Sequence, residues 1–441
     1  MITRRVRAAL VVLPVVALSV LGGCTANNQG GSGGTNAAGS NTINVKITDK
    51  GCEVSSKSFP AGQVTFKISN EGTVPNEFEV LSENKLQIVS EKENIGPGTS
   101  TELTTALKEG TYYSACKPNM VGALVGATQL KVTKGKEVAV GGDVKKLEEQ
   151  AVANYTSYVK DQVGQLLTAT KAFTAAYTSG DTAKAKELFP LARQHYERIE
   201  PTAEKFGIKE AGDLDGALDV RIQNLSADAG KSVTDPEVLK SWTGWHRIEA
   251  DLWAQDSSSP FKFADDAARK KVADQLNADT KSLYDLVYGK ITGVDGKKFS
   301  LTINDVVTGS VDLVNEVADT KIVGEEDTFS HTDLYDFKAN IEGAEVAYGN
   351  VSEIVAKSNP ELDKKIKAKF KAVHKLIDSH ADGKTTDGAT KYVGYDTIAS
   401  VQKDAGEAPA KNSYTKAQQQ FSSEVAALAK QLSEISGIVL H

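Results

Sequence analysis

The sequence predicts two folded domains, an all-β sandwich followed by an all-α domain of helical bundles. The first observation is the length of 441 residues, which at roughly 100–200 residues per domain indicates two or three domains. The second is a change of period: apolar residues alternate in short runs from residue 43 to about 138 and recur at helical spacing from about residue 144. The third is that Gly- and Pro-containing turns separate the short runs, as in a small sandwich.

The composition excludes several classes of protein. The chain has 51 Lys and Arg against 58 Asp and Glu, which gives a net charge of −7, whereas a nucleic-acid binder normally presents a basic face. We therefore expect no nucleic-acid partner. The 3 Cys and 6 His residues are too few for iron–sulfur centres, large Cys/His clusters or a disulfide framework. Any metal site must depend mainly on carboxylates.

Residues 1–23 predict a secretory signal peptide. A basic stretch precedes an apolar run and then small residues, which are the three parts of an export signal. The string Leu21–Cys24 resembles a bacterial lipobox, which would make Cys24 the lipidated first residue; the alternative is an ordinary signal peptide cleaved near a Cys. Residues 24–41 are small and uncharged, as in a flexible tether. We expect the folded part to lie outside the cytoplasm, periplasmic or at the cell surface, anchored by lipid to the cell membrane.

Residues 42–138 predict a β-sandwich with a cupredoxin-like fold. Apolar and polar residues alternate in Val64–Ile68, as in a strand with one buried face. The strings Gly110–Cys116 and Gly126–Val132 resemble the last two strands of a cupredoxin, with the metal-ligand loop between them. A blue-copper centre needs two His and one Cys, and residues 43–140 contain no His. We therefore exclude a standard blue-copper electron carrier.

Three residues of this first domain each have two interpretations. In an oxidising compartment Cys52 and Cys116 can form a structural disulfide, or they can bind a soft metal as paired thiolates. Met120 lies four residues after Cys116 and either packs into a gap or supplies a soft ligand.

Residues 144–441 predict the all-α domain. Asp181, Asp235 and Ser358–Pro360 are typical of helix starts, because they provide N-cap side chains or a Pro in the first turn. An apolar stripe at helical spacing marks the first helix, and its members are Tyr155, Tyr158, Val159, Val163, Leu166 and Leu167.

Three strings of this domain carry residues that can bind metal. His246 and Glu249 in GWHRIEADLW are three residues apart, so on a helix they share a face and can reach one ion. Glu197 and Glu200 in ARQHYERIEP repeat this spacing. The string SHTDLYDF opens a further helix with a His and an Asp in its first turn. Imidazole and carboxylate pairs on facing helices are how metal sites are built in helical bundles.

These strings, with NEVADTKIVGEED and FSHTDLYDFKANIEGAEVAY, closely resemble the EfeO family of iron-uptake proteins over nearly the whole mature chain. The resemblance implies a cupredoxin-like domain joined to an imelysin (peptidase M75-like) domain, with the family's His-x-x-Glu motif at His246 and Glu249. The further ligands that it implies in the helical domain are Glu197, Glu200, Asp219 and Glu316. In the first domain, the resemblance adds the acidic string that holds Glu77 and Glu79 to Cys52, Cys116 and Met120. These residues are the parts of a candidate second metal site, or else the two Cys form a disulfide.

The resemblance also implies a function. It indicates an extracytoplasmic, metal-binding component of an iron-uptake system that captures ferrous or ferric iron and delivers it to a membrane permease. The implied partners are that permease and a secreted haem-dependent peroxidase. One imidazole with several carboxylates is a hard ligand set that suits iron, with zinc and copper as the other candidate ions. We expect a bound cation to stabilise the helical domain, because it removes repulsion between carboxylates.

Two other functions are weighed against iron uptake. A zincin-type peptidase needs His-Glu-x-x-His, and no His in the chain is followed by Glu, so we predict that the protein is not an enzyme. The alternative binding function is cation-dependent recognition of an acidic, alginate-like polysaccharide, with which imelysin-like proteins have been associated. An acidic chain repels such a polymer unless a cation bridges the two.

Overall fold

The structure, a computed structural model, describes residues 41–120, 123–135, 144–207, 212–254, 256 and 258–440. The predicted signal peptide, the predicted tether up to residue 40 and the predicted lipid site Cys24 lie outside the described residues. The prediction of the fold class is confirmed, because residues 41–133 form β-sheets and helices follow from residue 144.

The β-domain is built from two sheets. In chain order the strands are β1 (Asn41–Thr48), β2 (Gly51–Val54), β3 (Ser58–Pro60), β4 (Gly62–Asn70), β5 (Asn76–Leu81), β6 (Ile88–Ile95), β7 (Ser100–Leu107), β8 (Gly110–Pro118) and β9 (Val125–Thr133). One sheet has the order β2-β1-β4-β7 and the other the order β3-β9-β8-β5-β6. The inner faces of the two sheets share one apolar core, which contains Ile43, Val64, Phe66, Phe78 and Leu130.

A disulfide joins the two sheets. Cys52 of β2 bonds to Cys116 of β8, and both residues are buried in the apolar core. Both sulfur atoms are therefore used within the protein, and the structure selects the disulfide over the pair of soft-metal thiolates.

The helices that follow form the second domain, with one small hairpin among them. They are α1 (Val144–Thr178), α2 (Thr182–Glu197), α3 (Leu214–Asp219), α4 (Ile222–Ala229), α5 (Pro236–Ser241), α6 (Gly244–Trp253), α7 (Asp266–Val287), α8 (Ile303–Asp319), α9 (Asp333–Ser358), α10 (Pro360–Asp378), α11 (Lys416–Ser433) and α12 (Ser436–Val439). The hairpin consists of β10 (Ala381–Lys384) and β11 (Thr390–Tyr392). None of the helices in the described part of the chain has both the length and the apolar composition that crossing a membrane requires.

The long helices pack around a continuous apolar core. Helix α1 lies against α2 and α7, while α8, α9, α10 and α11 pack together, and α9 also contacts α1 and α2. Asp181 and Asp235 cap α2 and α5 as predicted, each accepting a hydrogen bond from a backbone N–H of the first turn. The short helices α3 and α6 contact each other and α7. They carry Asp219 on α3 and the His246–Glu249 pair on α6.

The β-domain contacts the helical domain through polar groups of β5, β6 and β8. Lys117 of β8 forms ion pairs with Glu79 of β5, at 2.7 Å, and with Asp161 of α1. The hydroxyl of Ser157 donates a hydrogen bond of 2.5 Å to Glu91 of β6. The lysine and its two partners are buried, so charged groups are sealed inside the junction between the domains.

Candidate metal centre

A glycine fixes the position of the predicted His-x-x-Glu helix. Gly244, the first residue of α6, has φ of +82°, and a Cβ atom there would overlap the carbonyl oxygen of Leu218. Only glycine allows both this backbone conformation and this close approach. The contact holds α6 against the end of α3, so that His246 of α6 lies beside Asp219, the last residue of α3.

The buried imidazole of His246 has carboxylates on both sides. Its Nδ1 atom lies 3.0 Å from Oε2 of Glu249 and 3.9 Å from Oδ1 of Asp327. Its Nε2 atom lies 3.4 Å from Oδ1 of Asp219 and 3.3 Å from Oε1 of Glu326. On each side the three ligand atoms lie within 4.8 Å of one another, close enough to hold a metal ion. We call these two sides the Nδ1 face and the Nε2 face.

Glu326 and Asp327 are the site residues that sequence reasoning missed. Both lie in the loop between the short 3₁₀ turn Lys321–Val323 and helix α9. The fold buries them almost completely, at 1% and 0% exposure. They belong to the string NEVADTKIVGEED, but in sequence they look like an ordinary acidic loop about 80 residues from His246. Only the tertiary fold brings them to the imidazole.

Backbone amides hold Glu249 in place. The N–H groups of Phe329 and Ser330 donate hydrogen bonds of 3.1 and 2.8 Å to its Oε1 atom. The other oxygen is thereby directed at His246. Burial, together with the nearby charge of Asp327, raises the pKa of Glu249 above its usual range. A cation at this position would relieve that cost.

Arg193 of α2 fills the Nε2 face. Its guanidinium is fully buried and donates hydrogen bonds to Asp219, to Glu197 and, at 3.1 Å, to Glu326. It thus pairs with both carboxylates of that face. Its Nε atom is more remote from the other carboxylates, at 3.9 Å from Asp327.

Several carboxylate oxygens in the group around Asp327 have no hydrogen-bond partner among the described residues. They are Oδ1 of Asp327, Oδ2 of Asp333 and both oxygens of Asp336, and all three residues are completely buried. Burial, reinforced by the charge of Asp327, raises the pKa of Asp333 and that of Asp336 well above their usual range. Buried carboxylate oxygens without a hydrogen bond are costly, so this region favours an added cation or added protons.

The neighbours of His246 act on its pKa in opposite directions. Burial and the charge of Arg193 lower its pKa, whereas Asp219 and the hydrogen bond to Glu249 raise it, and the net shift is well above the usual value. Protons and a metal ion therefore compete for the ring nitrogens of His246.

The other predicted ligands of the helical domain surround Lys321 and not His246. The ammonium of Lys321 lies 2.8 Å from Glu197, 2.7 Å from Glu200 and 3.8 Å from Glu316. The same lysine lies 3.5 Å from Glu326, so the two groups of charges adjoin. The structure does not place the three glutamates against the imidazole. They lie around a buried lysine that the sequence did not single out.

The predicted second site of the β-domain is divided by its own sheet. Phe78 is paired in register with Cys116, and both side chains enter the apolar core. Neighbouring residues of a strand point to opposite faces, so Glu77 and Glu79 point away from the disulfide and toward α1. The disulfide and these two glutamates thus lie on opposite faces of the sheet. Met120 contributes its backbone, whose carbonyl accepts a hydrogen bond of 3.4 Å from Tyr288.

Glu77 and Glu79 belong instead to the junction between the domains. With Asp161 they form a buried carboxylate group that could hold a cation, and Lys117 lies among them, 3.9 Å from Glu77. Burial raises the pKa of Glu77 to about 9, although the charge of Lys117 opposes the shift.

Comparison with known proteins identifies the class first. The family model described as a cupredoxin-like domain matches residues 14–125, and the imelysin family model matches residues 151–435. The chain is 34% identical to the iron uptake system component EfeO of Escherichia coli O1:K1 / APEC, and 33% identical to the proteins of that name from E. coli K12 and Shigella flexneri. Each alignment covers 92% of this chain and 93% of the relative. The chain therefore belongs to the EfeO family of iron uptake system components.

Proposed function

We propose that the protein captures iron in the helical domain, at the buried carboxylate cluster around His246. The observation that carries this proposal is a set of completely buried carboxylate oxygens, on Asp327, Asp333 and Asp336, that accept no hydrogen bond from the described residues. They belong to the cluster around an imidazole that already has Glu249 within 3.0 Å. Basic groups pair with only part of this cluster, so it is suited to take up a cation. The relatives support iron as that cation, because they are named as iron uptake components.

The chemistry of the donors agrees with iron as the cargo. Carboxylate oxygens and one imidazole nitrogen bind hard or intermediate cations, whereas copper(I) prefers the soft sulfur of thiolates and thioethers. The two cysteines of the β-domain are joined in a disulfide and offer no thiolate. Ferric and ferrous iron are both candidates for the cluster, with zinc and copper(II) as competing ions.

The cellular setting is proposed on the same basis. A chain exported by residues 1–23 and lipidated at Cys24 would hold its folded part at the outer surface of the cell membrane. There it would pass iron to a membrane permease, with a secreted haem-dependent peroxidase of the same system as a second partner. The support is that the relatives are named as components of an uptake system, which implies further components. Binding and transfer need no catalytic residue, and we propose that the protein is not an enzyme.

Thermal unfolding of the purified protein tests the proposal. A ligand at about 100 times its dissociation constant stabilises the native state by about 2.7 kcal/mol, which for a domain of about 300 residues raises the melting temperature by roughly 4 °C. We expect this rise with ferric citrate at pH 7 and a smaller one at pH 4, where protons compete for the carboxylates. An unchanged melting temperature with ferric, ferrous and zinc ions would contradict the proposal.

The chain offers a matched control for this experiment. His374 of α10 and Glu345 of α9 form another His–Glu pair at 3.0 Å, which is only partly buried. Replacing both residues by Ala should leave the metal-induced rise intact. The same double replacement of His246 and Glu249 should abolish it.

A further inference from the structure

The two faces of His246 differ in charge, although each offers two carboxylates and one ring nitrogen. On the Nε2 face the carboxylates of Asp219 and Glu326 both accept hydrogen bonds from Arg193. Glu326 also accepts a hydrogen bond from Arg221. The negative charge of this face is therefore already balanced by guanidinium groups.

The Nδ1 face has no such direct compensation among the described residues. Glu249 accepts hydrogen bonds from two backbone N–H groups. The ion pairs of Asp327 and Asp336 with Nε of Arg193 are long, at 3.9 and 3.7 Å. On this side Oδ1 of Asp327 lies 3.9 Å from Nδ1, accepts no hydrogen bond from the described residues and belongs to a residue with 0% exposure.

A guanidinium and a metal ion compete for the same oxygens. A metal ion on the Nε2 face would need oxygens of Asp219 and Glu326 that now accept from Arg193, and it would bring its positive charge against that of a fully buried arginine. Repulsion between two cations at such short range in a buried site is strong. On the Nδ1 face the incoming ion meets carboxylates with free lone pairs.

Building on the proposed iron site, we propose that Arg193 is a positioning residue that closes the Nε2 face and confines a single metal ion to the Nδ1 face. The ion is bound there by His246, Glu249 and Asp327, with Asp333 and Asp336 beside it. Asp219 serves mainly to hold Arg193. The Nε2 face is a latent second metal position, and loss of the guanidinium opens it.

Zinc is a suitable probe, because anomalous diffraction at its absorption edge locates each ion in crystals of the zinc-loaded protein. We expect one ion in the wild type, bonded to Nδ1 of His246 at about 2.0–2.1 Å. In Arg193→Gln we expect two, the second bonded to Nε2 and to carboxylates of Asp219 and Glu326. Calorimetric stoichiometry should rise from one to two in parallel.

The matched control is Arg198→Gln. Arg198 lies just beyond the C-terminal end of α2 and pairs with Glu342, outside the cluster. This variant loses the same charge and should still bind one zinc ion on the Nδ1 face. Arg193→Lys retains a positive charge and should also bind one ion there, which separates the role of the charge from general damage to the fold.

Three results would overturn the inference. They are zinc on Nε2 in the wild type, a single ion on the Nδ1 face in a folded Arg193→Gln protein, and a second ion in Arg193→Lys. If Arg193→Gln does not fold, the variant Asp219→Asn provides the test. Because Asp219 is not a ligand of the ion on the Nδ1 face, we expect the zinc affinity of this variant to stay within about threefold of the wild type. A 100-fold loss of zinc affinity would refute the inference. Failure of the proposed function is a different result, namely no metal bound at His246 in any variant.

Discussion

The Nδ1 atom of His246 and the Oε2 atom of Glu249 lie 3.0 Å apart, one turn of helix α6 from each other. Two backbone amides from the loop before α9 hold the second oxygen of Glu249, so the orientation of the pair is set by the fold. Such outer contacts fix the direction of metal ligands and typically change metal affinity by about 10–100-fold when they are lost.

The close contact at Gly244 should control this site. In Gly244→Ala the added Cβ would overlap the Leu218 carbonyl oxygen, and α6 must shift relative to Asp219. We expect a loss of stability of at least about 2 kcal/mol and a weaker metal affinity by calorimetry. Gly230→Ala is the control. Gly230 also has a positive φ, +61°, but a Cβ added there would have no atom within 4 Å among its described neighbours. This variant should lose about 1 kcal/mol of stability and bind metal normally. Equal metal affinities in the two variants would show that the contact does not position the site.

Lys117 should be essential to the junction between the domains. In Lys117→Met the buried carboxylates of Glu79 and Asp161 lose their cation. Removing one partner of a buried ion pair costs about 3–5 kcal/mol, measured as the free energy of unfolding in urea. Lys108→Met removes the exposed pair with Glu353, at 3.6 Å, and should cost less than about 1 kcal/mol. Similar losses in both variants would contradict this assignment.

Glu77 should make stability depend on pH. Burial raises its pKa to about 9 in the folded protein from the ordinary value of 4.5, so between these values the folded state holds a proton that the unfolded state has lost. Stability from this group is therefore complete below pH 4.5 and declines as the pH rises toward 9. Glu77→Gln, which mimics the protonated form, should be more stable than the wild type by on the order of 1–3 kcal/mol at pH 8 and nearly equal at pH 5. The control is Glu83→Gln at an exposed position, whose stability relative to the wild type should not change between pH 5 and pH 8. If the wild type instead gained stability relative to Glu77→Gln toward pH 8, the raised pKa of Glu77 would be contradicted.

The disulfide should stabilise the β-domain without taking part in metal binding. Cys52 and Cys116 are 64 residues apart in sequence, and closing a loop of that size stabilises a fold by about 4 kcal/mol in the chain-entropy model. Replacing both by Ala should lower the free energy of unfolding by up to that amount and leave the iron stoichiometry unchanged. Loss of copper or iron from a folded double variant would instead assign the cysteines to a metal site.

Local patterns made most of the fold predictable. The alternation in Val64–Ile68 and the periodic stripe that begins at Tyr155 report strand and helix directly, because burial on one face imposes the period. The three-residue spacing of His246 and Glu249 likewise predicts a shared helix face, and the structure shows that face.

The rest of the cluster could not be predicted in this way. Glu326 and Asp327 reach His246 only through tertiary packing, and Arg193 is a helical arginine whose burial no local pattern indicates. The same limit applies to Glu197, Glu200 and Glu316. The sequence does not indicate that Lys321 lies among them.

The most direct test of iron capture at His246 is a calorimetric titration of the purified protein with ferric citrate, comparing the wild type with the double variant His246→Ala, Glu249→Ala. We expect iron binding that is lost in this variant and retained when His374 and Glu345 are both replaced by Ala. Iron binding of unchanged affinity and stoichiometry in the His246 and Glu249 variant would contradict the proposed site and would move it to carboxylates elsewhere, with the group at the junction of the two domains as the first to examine.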